Sequence, residues 1–332
     1  MFQSLSIERF RGFSKLDLDD LGRVNLIVGE NNTGKTSLLE AIALVADPEC
    51  IKELPKLFRS FDPETDERTY EWVQRRDAHE FPTKVVATLG TQTKIFVIHR
   101  DTAKSDTARR GGPFSKFAVD YAQSQSPYEP CWKWGELTFA RLKEDASLRL
   151  GIASVEHKRP VELVDSFSKL MRSREYERQL ESLLASVDPR VNSPRIDVTQ
   201  SRPFIAVDVG LLERIPLAQA GQGIYRLCAI FSELLGNKPQ VCIIDEIENG
   251  IHYTALPVLW KGIAEVASRL DIQVFATTHS KECLEAAHEV FSDRDPYDLR
   301  VIQLDRVNKF IEGRTLDRRL IEAAIGSNIE MR

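Results

Sequence analysis

Apolar positions along this chain fall into distinct patterns. Nearly unbroken apolar runs stand at Leu26-Ile27-Val28, Val241-Cys242-Ile243-Ile244 and Ile272-Gln273-Val274-Phe275-Ala276-Thr277. Such runs predict strands buried on both faces, as in a parallel sheet. Leu299-Arg300-Val301-Ile302-Gln303-Leu304 predicts another strand, and Phe204-Ile205-Ala206-Val207-Asp208-Val209 one more. Residues 4–8 and the stretch around Leu16-Asp17-Leu18 predict a hairpin across Arg9-Phe10-Arg11-Gly12-Phe13. Residues 84–89 and 94–98 predict a second strand pair, joined by a Gly-Thr turn. Helical spacing appears where Val161, Leu163, Val164, Phe167, Leu170 and Met171 recur, and again at Leu180, Leu183 and Leu184. That predicts one or two amphipathic helices over 161–187.

Further helices are predicted at 224–231, 255–270 and 281–291, interleaved with the late strands. The alternation predicts right-handed βαβ crossovers building a mostly parallel sheet. Residues 47–83 read as mixed and helical, with a polar break at 61–67. Residues 100–116 carry Arg109-Arg110-Gly111-Gly112-Pro113 and read as a polar loop. Trp132 and Trp134 are assigned to core packing. Pro189, Pro194 and Pro203 predict a loop-rich stretch.

The loop after the first buried run is where chemistry enters. Gly29-Glu30-Asn31-Asn32-Thr33-Gly34-Lys35-Thr36 fits G-x-x-x-x-G-K-[ST], the phosphate-binding P-loop, and Ser37 opens an apolar helix. Gly29 and Gly34 let the backbone curl so that several N–H groups point at one anion. The helix that follows adds the positive end of its dipole. Lys35 is the residue for the β- and γ-phosphates, and Thr36 for a magnesium ion. Arg11 either leans on the nucleotide or is a surface arginine near a turn; spacing does not choose between them.

Other candidate groups come late in the chain. The run 241–244 ends in Asp245-Glu246, which a parallel sheet delivers at its ligand edge. Asp245 is placed to hold magnesium and Glu246 to orient or deprotonate an attacking water. The run 272–277 ends at Thr278-His279-Ser280, where His279 can hydrogen-bond a γ-phosphate and report its presence. Ala220-Gly221-Gln222-Gly223 opens a helix and is either a second anion site or an ordinary helix start.

Composition narrows the class. The 332 residues are 42% hydrophobic and 29% charged with a net charge of −5, so the molecule is no basic nucleic-acid sleeve. No apolar run is long enough to span a bilayer, and the first residues carry no secretory pattern. The five cysteines form no C-x-x-C pair, so neither a zinc site nor a disulfide framework is indicated. A reducing cytoplasm fits. Cys228, Cys242 and Cys283 sit among apolar residues and read as buried small hydrophobes.

These motifs together resemble the split ATPase heads of ABC-type proteins. The resemblance is closest to the RecF/SMC-like branch that includes the ATPase half of the OLD (overcoming-lysogenization-defect) proteins. It is carried by Arg9-Phe10-Arg11-Gly12-Phe13, by the P-loop, by Ile244-Asp245-Glu246-Ile247-Glu248-Asn249-Gly250-Ile251-His252 and by Val274-Phe275-Ala276-Thr277-Thr278-His279-Ser280. The closing Asn328-Ile329-Glu330-Met331-Arg332 is similar to the ends of stand-alone bacterial ATPases of this group. The resemblance implies an α/β P-loop NTPase of the ABC/RecF-like head type, with N-terminal antiparallel strands and an inserted, mainly helical lobe. The split core is expected over 1–46 and 200–332, and the lobe over 47–199.

It also implies a homodimer with two ATP molecules sandwiched between subunits, closed by ATP and opened by hydrolysis. The Lys35 loop of one subunit would face the turn bearing Gly221 and Gly223 of the other. Glu246 would be the catalytic carboxylate, His279 the switch histidine, and Glu248-Asn249-Gly250 the loop that meets the partner subunit. The turn departs from the family in lacking a serine before its glycines, and no glutamine loop can be placed. OLD nucleases continue into a TOPRIM domain; about fifty residues follow Thr277, which leads us to expect none here. The expected activity is magnesium-dependent ATP hydrolysis, with anti-phage defence through a separately encoded effector, such as a nuclease, as the implied role. The alternative is a RecF-like repair ATPase that clamps DNA directly. A third reading is an ATP-binding scaffold that barely turns over, against which the Asp245-Glu246 pair argues.

Overall fold

A computed structural model describes residues 1–52, 82–100, 117–124, 147–153, 160–199 and 202–327. The polar break at 61–67, the Arg109-Arg110 loop, Trp132, Trp134 and residues 328–332 lie outside the described residues.

Alternation near the start builds β1 (Ser4–Phe10) and β2 (Phe13–Leu18), antiparallel, with Leu5 opposite Leu18 and Phe10 opposite Phe13. Leu5, Ile7, Phe10, Phe13, Leu16 and Leu18 are buried, while Lys15 and Asp17 stay outside and pair at 2.9 Å. Next comes β3 (Val24–Gly29), every residue of it buried. Its one polar side chain, Asn25, donates to the Gly22 and Val274 carbonyls and accepts from the Gly22 N–H. A buried amide is tolerated because it is so satisfied. The P-loop follows β3 and opens α1 (Lys35–Ala46), also buried along most of its length.

Two compact units emerge. The first holds Met1–Leu21, Gly29–Leu148 and Ile302–Thr315. In it β1 pairs on its second edge with β4 (Thr83–Leu89), which pairs with β5 (Gln92–Arg100) and so on to β6 (Phe117–Ser124). The order is β2-β1-β4-β5-β6. Gly90, at φ 59°, makes the turn between β4 and β5.

The second unit holds Gly22–Val28, Arg149–Val301 and Leu316–Arg332. Here the short strand β7 (Leu150–Ile152) lies at one end of a sheet. Helices α2 (Pro160–Leu170) and α3 (Arg174–Val187) follow. Then β8 (Asn192–Thr199), β9 (Arg202–Asp208) and β10 (Ile215–Pro216) form a small antiparallel sheet, order β10-β9-β8. The chain continues through α4 (Gln222–Ser232), β11 (Val241–Ile244), α5 (Leu256–Arg269), β12 (Gln273–Thr277) and α6 (Lys281–Ser292). Most of β13 (Leu299–Val307) and β14 (Phe310–Leu316) falls in the first unit's last segment, and the second unit closes with α7 (Arg318–Gly326). Within this unit β3, β12, β11 and β7 lie side by side in that order and run parallel.

The strands at 84–98 extend the N-terminal hairpin, β4 pairing with the free edge of β1. The helices at 161–187 join the second unit's core through Leu163, Phe167, Leu170, Leu180 and Leu184. Burying a side chain such as Phe167 is worth about 1.5–3 kcal/mol, which an amphipathic helix gains only against an apolar partner. The expected loop at 189–203 is largely strand. Pro194 fits because β8 is an edge strand and its register shifts between Asn192 and Arg195. In the same core the Trp260 ring is fully buried and its Nε1 donates to the Cys283 carbonyl at 3.0 Å.

Cys228, Cys242 and Cys283 are buried as expected, and so is Cys50. Burial pushes the Cys228 and Cys283 thiols up to about 12. Among the described residues no helix is long and apolar enough to cross a membrane.

Candidate active site

The P-loop belongs to the first unit. Its curl depends on backbone that only glycine adopts readily. Gly29 has φ 149°, and a Cβ there would stand 2.4 Å from the Leu304 carbonyl oxygen. Gly34 has φ 91°, and a Cβ would stand 2.9 Å from the Phe13 ring. Asn32 also takes the left-handed region at φ 65°. Thr33 is buried, and its hydroxyl donates to the Glu30 carbonyl at 2.8 Å. The Lys35 ammonium donates to the carbonyls of Gly29 and Glu30 at 2.6 and 2.8 Å, so the charge is held on the loop itself. Arg306 donates to the Asn32 carbonyl at 2.6 Å. Asn31 and Asn32 are exposed, Thr36 is half-buried and Ser37 is buried. Gly34 caps α1 without a side-chain hydrogen bond, which leaves the first-turn N–H groups directed at the loop.

Arg11 pairs with a residue of α1. Its Nε stands 2.6 Å and its Nη2 2.9 Å from the carboxylate of Glu40, a fully buried residue of α1. The Nη2 hydrogen bond and the close ion pair offset part of the cost of burying Glu40. The sequence left Arg11 between nucleotide and surface; its guanidinium faces a helix carboxylate.

The acidic half belongs to the second unit. Parallel registry puts the carboxyl ends of β3, β12 and β11 at one edge, with Ile27 opposite Thr277 and Ile244 opposite Ala276. Asp245 and Glu246 leave β11 at that edge. The Thr277 hydroxyl donates to Asp245 Oδ1 at 2.5 Å and accepts the Glu246 N–H at 2.7 Å. One hydroxyl thereby fixes the first carboxylate and the start of the second residue. Glu246 sits at φ 47°, a bend that turns its half-exposed carboxylate outward. His279 Nε2 lies 4.0 Å from Glu246 Oε1, and Asn249 Nδ2 lies 3.4 Å from Glu246 Oε2. Asp245, Glu246 and His279 stand together at this edge.

Behind this edge lies a group the sequence reading missed. Arg226, 2% exposed, donates through Nη2 to the carbonyls of Asp245 and Glu246 at 2.5 and 3.0 Å, and through Nη1 to the Ala153 carbonyl at 3.3 Å. A fixed guanidinium fork suits this clamp on main-chain oxygens. Its signal was an arginine within an apolar helix, where a charge needs a partner. Thr277 was read only as a strand end.

Gly221, at φ 112°, caps α4 without a side-chain hydrogen bond and is exposed. A Cβ on Gly223 would stand 3.0 Å from the Gly250 carbonyl oxygen, so the turn lies close against the 248–250 loop. Arg226 follows Gly223 by three residues in the same helix. The glycine turn and the acidic edge are thus joined within one helical turn.

Comparison with known proteins gives the setting for this geometry. The family model "AAA domain, putative AbiEii toxin, Type IV TA system" matches residues 113–285, just over half of the chain, and "AAA ATPase domain" matches residues 1–107. An ATP/GTP phosphatase of Helicobacter pylori is 21% identical over 355 residues, covering 95% of each chain. The DNA replication and repair protein RecF of Idiomarina loihiensis is 46% identical over 43 residues, 13% of this chain and 12% of that one. The SMC head bound to the C-winged helix domain of ScpA superposes with a TM-score of 0.53 at 11% identity, covering 98% of this chain and 99% of that one. An SMC head with an extended coiled coil, bound to the C-terminal domain of ScpA from Pyrococcus furiosus, gives 0.52 at 10% identity, over 100% and 99%. At that identity the structural likeness speaks for the fold, an SMC head-like P-loop NTPase of the α/β class. The chain belongs to the AAA domain family described as "AAA domain, putative AbiEii toxin, Type IV TA system", and it is an ATPase.

Proposed function

We propose that this ATPase is an ATP-driven dimeric switch whose catalytic groups are Lys35, Glu246 and His279. The observation that carries the reading is the Thr277 hydroxyl between Asp245 and Glu246, which holds one carboxylate still and frees the other. In the proposed reaction the loop from Gly29 to Ser37, with Asn31, Asn32, Thr33 and Gly34, cradles the phosphates. Lys35 balances charge that spreads over the γ-phosphoryl oxygens. Glu246 accepts a proton from water as the water oxygen bonds to the γ-phosphorus. The bond from that phosphorus to the bridging oxygen breaks, and ADP and phosphate leave. His279 hydrogen-bonds the γ-phosphate.

Thr36 and Asp245 would hold magnesium. Both offer oxygen donors, one hydroxyl and one carboxylate, which is the donor chemistry this ion takes alongside phosphate oxygens. Bound there, magnesium would neutralise charge on the β- and γ-phosphates.

The further reading is a homodimer in the cytoplasm, with ATP between subunits and the turn bearing Gly221 and Gly223 meeting the nucleotide of its partner. An OLD-like role in anti-phage defence, through a separately encoded effector such as a nuclease, goes with it. The family description, which names a toxin of a toxin–antitoxin system, supports action together with a second protein. Glu246→Gln lowers phosphate release by about 10²–10⁴-fold and traps the ATP-bound dimer, read by light scattering with and without MgATP. Unreduced release removes the Glu246 assignment. ATP-dependent, salt-sensitive retention of DNA by the trapped form would replace the effector reading with a DNA clamp.

A further inference from the structure

Two loops leave the acidic edge, residues 245–251 after β11 and 278–280 after β12. Main chain ties the first loop to the end of β12, through the Ile247 N–H on the Thr277 carbonyl at 3.0 Å. A side chain of the first loop reaches the second. Glu248 Oε1 accepts the His279 backbone N–H at 2.7 Å. That bond lies just before α6, whose N-cap Ser280 accepts from the Cys283 N–H at 3.0 Å. A carboxylate is well placed beside the positive end of a helix dipole. The other oxygen, Oε2, is buried from solvent. Glu248 is therefore not a solvated loop charge; its carboxylate holds the main chain that carries the histidine.

The consequence falls on the distance between His279 and Glu246. Glu246 is held from its own side, through its N–H on Thr277 and the Asn249 amide near Oε2. His279 is an exposed side chain on a short loop, and where its ring stands depends on that loop's backbone. We propose that Glu248 is a positioning residue for ATP hydrolysis, holding His279 by its backbone so that the imidazole faces Glu246. The proposal rests on the roles assigned above to Glu246 and His279. It also gives the 248–250 loop a means of action, since drawing that loop away would move the histidine.

The test is steady-state phosphate release at saturating magnesium. Glu248→Ala lowers kcat about 10–100-fold while KM for ATP stays within about threefold. Glu248→Gln keeps a carbonyl acceptor for the same N–H and restores most of the rate. Glu248→Asp, one methylene short, is as slow as Glu248→Ala and serves where the alanine variant does not fold. In a His279→Ala background the Glu248 change has no further effect, because the two act on one step. Wild-type kcat in Glu248→Ala or Glu248→Asp overturns the proposal. So does a glutamine variant as slow as alanine, or a double variant whose losses multiply. Wild-type turnover in Glu246→Gln or His279→Ala removes the underlying site assignment and the proposal with it. Loss in both of those, with none in the Glu248 variants, removes the proposal alone.

Discussion

The Thr277 hydroxyl does at the residue scale what neither carboxylate does for itself. Replacing it by valine keeps the strand shape but removes the bond to Asp245 and the acceptor for Glu246 N–H. Thr277→Val should lower kcat about 10–100-fold, measured by phosphate release, with the folded state intact by circular dichroism. An unchanged kcat would show that the backbone alone orders the acids. Lys94 shows a different residue-scale effect, on stability. It lies in β5, 2% exposed, and burial pulls its ammonium pKa down to about 8, with Asp47 pulling weakly upward. The unfolded value is near 10.4. Between about 8 and 10.4 the unfolded chain binds more protons, so stability rises with pH across that window. Below pH 8 the full cost of the buried charge is present. Lys94→Met should therefore stabilise the protein at pH 7, by at most about 3 kcal/mol, and flatten the rise between pH 8 and 10. Thermal unfolding at pH 7 and pH 9.5 decides it; a variant with the wild-type slope would rule the lysine out. P-loop and strand-end acids were legible as residue types at fixed spacings. Arg226 and Thr277 were not, because their roles are contacts with main chain far along the sequence.

Elements whose periodicity is strong are those the sequence reveals. The hairpin β1–β2, the pair β4–β5, helices α2 and α3, and the buried strands β3, β11 and β12 all lie where apolar spacing puts them. Short or edge elements escaped. β7 has three residues, and Gly151 within it is needed because a Cβ there would meet Pro239 at 2.7 Å. β8 is mostly exposed and contains a proline, so nothing in its pattern marks a strand. β14 and α7 were not foreseen either; α7 buries only Ile321. The contact between α2 and the π-helical turn Glu233–Asn237 after α4 is equally silent in sequence. A Cβ on Gly236 would stand 2.1 Å from the Ser166 carbonyl oxygen. Gly236→Ala should therefore force α2 away and cost about 1–3 kcal/mol, read as a lower urea midpoint. A midpoint equal to wild type would mean α2 gives way freely.

At the scale of the whole molecule, nucleotide binding and stability are linked. Any ligand bound only by the folded chain stabilises it, by about 2.7 kcal/mol at 100 times its Kd. MgATP should raise the unfolding temperature of Glu246→Gln, and Lys35→Ala should abolish that rise; a rise that survives Lys35→Ala would place binding elsewhere. The sequence by itself determined the phosphate loop, the acids at strand ends, and the α/β alternation, because each is a local pattern with one physical reading. Only the tertiary structure decided which strands share a sheet. The 84–98 strands went to β1 because its edge had unpaired N–H and carbonyl groups. The 161–187 helices went to the second unit because their apolar faces fit its core. Arg11 likewise pairs with a buried carboxylate twenty-nine residues away. These outcomes depend on which surfaces meet, and apolar spacing along a chain says only that a surface must be covered, not by what.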